Sequence, residues 1–146
     1  MTPAVQRRGP MQGAISWNCS SVPPPGSCRR PTGDAWADAI YRGAKPSRAR
    51  ANAVHFAPGA RTAWHSHGIG QTLYIVEGIA LIRSRGGKVL EAHPGQVIWT
   101  LPDEEHWHGA APDHFMTHIA LWEGDDVTWL DHVTDAEYAG PRTRDL

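Results

Sequence analysis

His65, His67 and Gln71 place three metal-competent side chains within seven positions of the stretch 59–78, and His106 and His108 repeat the His-x-His spacing further along. In an extended strand alternate side chains share a face, so each pair points one way. A turn built from Gly68 and Gly70 lets Gln71 return beside the first pair. Imidazole suits Zn, Cu, Fe and Ni, and the Gln amide adds a neutral carbonyl oxygen. Three ligands leave a site incomplete, and the run Glu104-Glu105-His106-Trp107-His108 is the best source of a fourth. The implied chemistry is metal-centred.

The elements that must position these residues are short. From Asp34 the chain alternates β-type runs with Gly, Pro and charged turns, the texture of an all-β sandwich or barrel. Strands are expected over 36–41, 50–56, 61–67, 71–77, 79–84, 88–93, 96–101, 106–110 and 115–122. Arg85-Gly86-Gly87-Lys88 is a hairpin signal between two of them, and Thr134 with Glu137 makes a capping box for a short C-terminal helix. With strand parity, Arg61 and Ala63 fall on the side of His65 and His67, while Thr62 and Trp64 point away. Gln71, Leu73 and Ile75 share a face, as do Met116, His118, Ala120 and Trp122.

The remaining features narrow the classes. The chain has 146 residues, one domain's worth. Its 14 basic and 15 acidic residues leave a formal charge of -1 with no block of one sign, which gives no support to nucleic acid or an acidic membrane as partner. Residues 1–33, with Pro23-Pro24-Pro25-Gly26 and little periodicity, read as an N-terminal extension, either a flexible tail or a dimer arm anchored by Trp17; residues 34–146 form the expected domain. Arg7 and Arg8 are not followed by an apolar core, so no secretory signal is expected, and Cys19 and Cys28 are expected as free thiols in a cytoplasmic protein. Trp64, Trp99, Trp107 and Trp122 lie in expected strands, where core or interface burial explains them.

The motifs resemble the cupin family. Gly59, His65, His67 and Gly78 occupy the glycine and histidine places of the first cupin motif, with Gln71 where that motif carries Glu. Gly95 and His106 match the ends of the second, whereas Leu101 and Asp103 stand where it has Pro and Gly, with Pro102 between them. Runs such as 58–65, 70–73, 106–112, 116–120 and 129–138 are similar to the small single-domain bacterial cupins that include the manganese-dependent hydroxynitrile lyases. The likeness spans about residues 34–138.

The resemblance implies a single-domain cupin jelly-roll barrel, paired as a homodimer through edge strands. It implies one divalent metal per chain held by His65, His67, Gln71 and His106, with Mn first and Fe, Ni, Zn or Cu as other occupants. It also turns His118 into the pocket. His108, sharing the face of His106, could exchange a proton beside the metal or hydrogen-bond a ligand from behind; His118 could do the same or be a satisfied core histidine. His108 and His118 are the expected catalytic pair. His55, His93, His114 and His132 read as surface or packing residues.

Gln in place of Glu has chemical content. Three neutral imidazoles and an amide leave the full double charge of the ion to be balanced by water, hydroxide or substrate, which favours developing anions and weakens the grip on hard ions such as manganese. The leading function is cleavage or formation of a carbon–carbon bond in a cyanohydrin, on a small-molecule substrate; Trp122, bulky at a pocket-facing position, departs from the family and implies a substrate that differs in size from its aromatic cyanohydrins. A metal-dependent dioxygenase and a non-catalytic small-molecule-binding cupin are the alternatives. Because imidazoles coordinate only when neutral, metal is expected to be lost as pH falls through about 6.

Overall fold

The computed structural model describes residues 30–124 and 126–144; Trp17, Cys19, Cys28 and most of the expected extension lie outside them. Eleven strands and one short helix follow in order: β1 (Ala35–Arg42), β2 (Ala49–Phe56), β3 (His65–His67), β4 (Gln71–Gly78), β5 (Ala80–Ser84), β6 (Val89–Ala92), β7 (Val97–Thr100), β8 (His106–Ala110), β9 (Met116–Glu123), β10 (Val127–Trp129), α1 (Asp135–Tyr138) and β11 (Arg142–Thr143). They form two facing jelly-roll sheets, ordered β1-β2-β9-β4-β7 and β10-β3-β8-β5-β6-β11, whose ladders do not close on one another. All nine expected strands are present. β10 and β11 were not expected, since three and two residues are too few to show alternation, and pairing with β3 and β6 defines them.

Alternation explains the layers. β4 is buried at Gln71, Leu73 and Ile75, and β9 at Met116, His118 and Ala120, as parity requires. Their apolar members join Val54, Phe56 and Ile82 in the core between the sheets. A second cluster, Trp64, Leu81, Val89, Trp107, Val133 and Tyr138, covers the outer face of the six-stranded sheet with the C-terminal segment. There Thr134 and Glu137 form the expected capping box. Among the described residues nothing covers the outer face of the five-stranded sheet in this way, and Tyr74, Val97, Trp99 and Leu121 are exposed on it.

The stretch expected as one strand over 61–67 is regular only from His65. Arg61 makes isolated bridges to Thr32 and Gly109, and Trp64 N–H donates to the Asp131 carbonyl. Parity therefore does not carry back from His65. Arg61 turns to the C-terminal segment, where its Nη2 donates to the Val133 carbonyl at 3.1 Å and to Asp135 at 2.7 Å and its guanidinium stacks over Tyr138. Thr62 turns inward.

Two turns aim the motif strands. Gly78, at φ +79°, ends β4 where a Cβ would strike the Phe115 carbonyl oxygen, a place only glycine fits. Asp103 has φ 60° and is the one non-glycine residue with positive φ among the described residues. It adopts the left-handed conformation that the missing motif glycine would supply, tolerable for Asp. Its N–H donates to the His67 carbonyl at 2.9 Å, so the turn before His106 is tied to β3. No helix among the described residues is long and apolar enough to cross a membrane.

Candidate metal centre and cavity

His65 and His67 stand on β3, His106 and His108 on β8, and Gln71 and His118 on β4 and β9 of the opposite sheet. His65 pairs directly with His106 across the β3–β8 ladder, their rings 4.4 Å apart between centroids. All six expected site residues are buried and converge between the sheets. Ring nitrogens of His65, His106 and His108 lie within 4.8 Å of one another. His108 thus joins His65 and His106 in this group, whereas His67, one of the four residues expected to hold a metal, lies outside it.

The hydrogen bonds fix which nitrogens face inward. The Nδ1–H of His65 donates to the Ala63 carbonyl at 3.0 Å, and that of His106 to the Glu104 carbonyl at 2.9 Å. Each neutral ring then keeps its lone pair on Nε2. His106 Nε2 lies 3.1 Å from Gln71 Oε1. Two lone pairs face each other there. Neither ring nitrogen of His67 has a hydrogen-bond partner, nor has His108 Nε2, though all are buried. Unpaired buried polar atoms each cost about 1–3 kcal/mol, so these three nitrogens and the facing His106–Gln71 lone pairs ask for partners. Rotating the Gln71 amide would relieve one contact and leave His67 and His108 as they are. One cation would relieve the His106–Gln71 contact and engage one nitrogen of His67, leaving His108 Nε2 free, and the donor set of imidazole nitrogens and an amide oxygen fits a divalent transition metal.

His108 Nδ1 and His118 Nε2 are 3.0 Å apart and share one hydrogen. His108 N–H donates to Thr62 Oγ1 at 3.2 Å, and Thr62 N–H donates to the His108 carbonyl at 2.9 Å, which holds the ring in place. Burial depresses every one of these histidines. His118 is pushed down to about 3 by desolvation. His67 falls to about 4 through desolvation, with neighbouring His106 adding to the effect and Asp126 opposing it. His65 and His108 sit well below the usual imidazole value, again through burial first, then His106 for the former and His118 for the latter. Burial also lowers His106. Neutral bases at neutral pH result.

A cavity of about 110 Å³ opens onto the cluster. Thr62, His65, His67, Gln71 and His108 supply its polar wall; Val54, Phe56, Ala120, Trp122, Val127 and Trp129 most of its apolar one. The strand-parity argument excluded Thr62, and the irregular backbone over 61–64 reverses that. Asn52, Val54 and Phe56 alternate along an expected strand and were legible as one face, but nothing told which face was inward. Val127 and Trp129 come from β10, and Pro31 from the segment before β1; neither had a periodic signal. His55 stacks on Trp36, His93 pairs with Glu91 and His114 with Asp113, all away from the cavity.

The cupin domain family model matches residues 52–121. A curated (R)-mandelonitrile lyase of Granulicella tundricola is 46% identical over 110 residues, 73% of this chain and 84% of the relative. Among solved structures, a cupin-like protein from Thermotoga maritima is 34% identical with a TM-score of 0.70, covering 74% of this chain and 84% of that one. A cupin-2 domain protein from Rhodospirillum rubrum, 15% identical, covers 95% of this chain and 87% of its own with a TM-score of 0.64, a likeness of fold alone.

Proposed function

The chain belongs to the cupin family, and from that premise and the buried histidine cluster we propose that it is a metal-dependent lyase that cleaves or forms cyanohydrins. The observation that carries the metal is the facing pair His106 Nε2 and Gln71 Oε1 beside the unpartnered nitrogens of His67. His65, His67, Gln71 and His106 would hold one divalent ion, manganese by similarity to the lyase relative's group. Bound there, the ion supplies Lewis acidity to a substrate oxygen.

The chain's own residues do the rest. With the shared hydrogen on His108 Nδ1 and pointing at His118, His108 Nε2 carries a lone pair toward the cavity and takes the substrate's hydroxyl proton. The oxygen's electron pair forms the carbonyl, the bond to the nitrile carbon breaks, and cyanide leaves with that bond's electrons. His118 accepts the hydrogen bond from the His108 imidazolium and steadies it until the proton passes to cyanide. Apolar walls keep water from the imidazoles.

Elemental analysis after manganese loading, paired with cyanide release from α-hydroxynitriles, tests the reading. The expected result is one ion per chain and release abolished by chelation. Bound metal with oxygen uptake on a phenol or diketone and no cyanide would put the oxygenase in its place; no metal and no turnover would leave a binding module.

The homodimer is also proposed. Tyr74 pairs with Val97, and Thr72 with both Trp99 and Leu121, so the exposed apolar side chains are contiguous across β9, β4 and the edge strand β7 with no charge among them. A second copy is the proposed occupant, since β7 is an edge strand among the described residues and a two-fold pairing of such edges would cover this face. Trp99→Glu should shift sedimentation equilibrium to monomer; a variant that sediments like the parent would remove this face from the interface.

A further inference from the structure

Along the inward face of β9 the residues run His118, Ala120, Trp122. The first belongs to the proton site, the second is small and leaves room, and the third closes the room again. Trp122 lines the cavity with its ring centroid 6.0 Å from that of His67, and its Nε1 has no hydrogen-bond partner, so packing alone holds the indole where it stands. Trp129, the other indole of the wall, belongs to β10 and lies against His65 at 4.8 Å, on a strand paired to β3 along its whole length. Of the two, Trp122 is the one whose strand does not pair with the His65–His67 strand.

Volume decides what the site admits. An apolar cavity of about 150 Å³ holds a single benzene. The cavity here, about 110 Å³, is smaller than that. Within this volume a methyl or ethyl group is accommodated beside the carbinol and nitrile more readily than a phenyl ring. We propose that Trp122 sets the size limit of the site, so that the chain takes compact aliphatic α-hydroxynitriles and shuts out aryl ones. The inference rests on the lyase reading for its chemistry and on the cavity for its limit. Replacing the indole by a smaller side chain joins its space to the cavity beside His67 and admits the ring.

The manganese-loaded chain, Trp122→Ala and the more conservative Trp122→Leu should be compared on lactonitrile and mandelonitrile. The parent is expected to favour lactonitrile in kcat/KM by roughly tenfold or more, and either folded variant to erase that preference through gain on mandelonitrile. Equal use of both nitriles by the parent, or an unmoved ratio in variants that melt like the parent, overturns the size limit while leaving the lyase reading intact. Saturation-transfer NMR with 2-propanol and benzyl alcohol, neither consumed by the reaction, gives a readout free of turnover. If no nitrile is cleaved the lyase reading falls, and benzyl alcohol contact confined to the variants still supports the limit, while contact with the parent overturns it. Should both variants fail to fold, the parent's nitrile ratio and its NMR contacts decide alone.

Discussion

Cyanide release should fall by roughly two to four orders of magnitude in His108→Ala, the range a positioned general base commands, while manganese content stays at one per chain. The reason lies in the division of labour between the two ring nitrogens. Nδ1 is engaged with His118 at 3.0 Å, and the unpartnered Nε2 is the one left to meet a substrate, since His108 lines the cavity and His118 does not. His118→Ala should cost less, on the order of 10–100-fold, as expected for a residue acting through another. The parallel measurement of bound metal makes this decisive. His108 belongs to the same nitrogen cluster as His65 and His106, so a variant that loses the metal along with activity would reassign His108 from proton carrier to ligand.

Metal-free protein should lose stability steeply between pH 6.5 and 4.5. In the unfolded chain His67 and His118 take up protons near pH 6.5; in the folded chain burial holds them to about 4 and about 3. A group with a depressed folded pKa leaves the unfolded state binding more protons, so the stability is whole above about pH 6.5 and declines as pH falls toward the folded values. The slope is about 1.36 kcal/mol per pH unit for each histidine, so the pair alone could remove up to about 5 kcal/mol by pH 4.5. That is comparable with the entire stability of many domains. Denaturant melts followed by circular dichroism across this range would show it, and a flat profile would mean that these rings are hydrated in the folded protein. Burial also shifts the expectation drawn from ordinary imidazole, because protons compete for the cluster below the usual value near 6.

What could be read in the sequence, and what could not, divides along a physical line. Local rules were enough wherever neighbours in the chain set the conformation. The period of two grouped Gln71 with Leu73 and Ile75 and His118 with Met116 and Ala120, while the resemblance turned His118 inward; Gly86-Gly87 fixed a hairpin, and Thr134 with Glu137 fixed the helix start. The His-x-His pairs were legible because their spacing is itself a strand property. Thr62 was misplaced because Arg61 answers to Thr32, Gly109 and Asp135, partners remote in sequence. β10 and β11 were missed for the same reason. The tautomers of His65 and His106 depend on the Ala63 and Glu104 carbonyls, each two residues away yet fixed only by the folded geometry.

One wall residue stands apart from the rest. Pro31 borders the cavity although it precedes the first strand, held there by Thr32 bonding to Arg61 in both directions, at 2.8 and 2.9 Å. Part of the binding surface is thus carried by a connecting segment rather than by the barrel, and such segments change sequence more freely than packed strands do. Drift in substrate range within this lineage can therefore begin there, at no cost to the histidine cluster. For the engineer the same fact sets a practical limit: shortening the chain to Asp34 would preserve the histidine cluster and reshape the pocket.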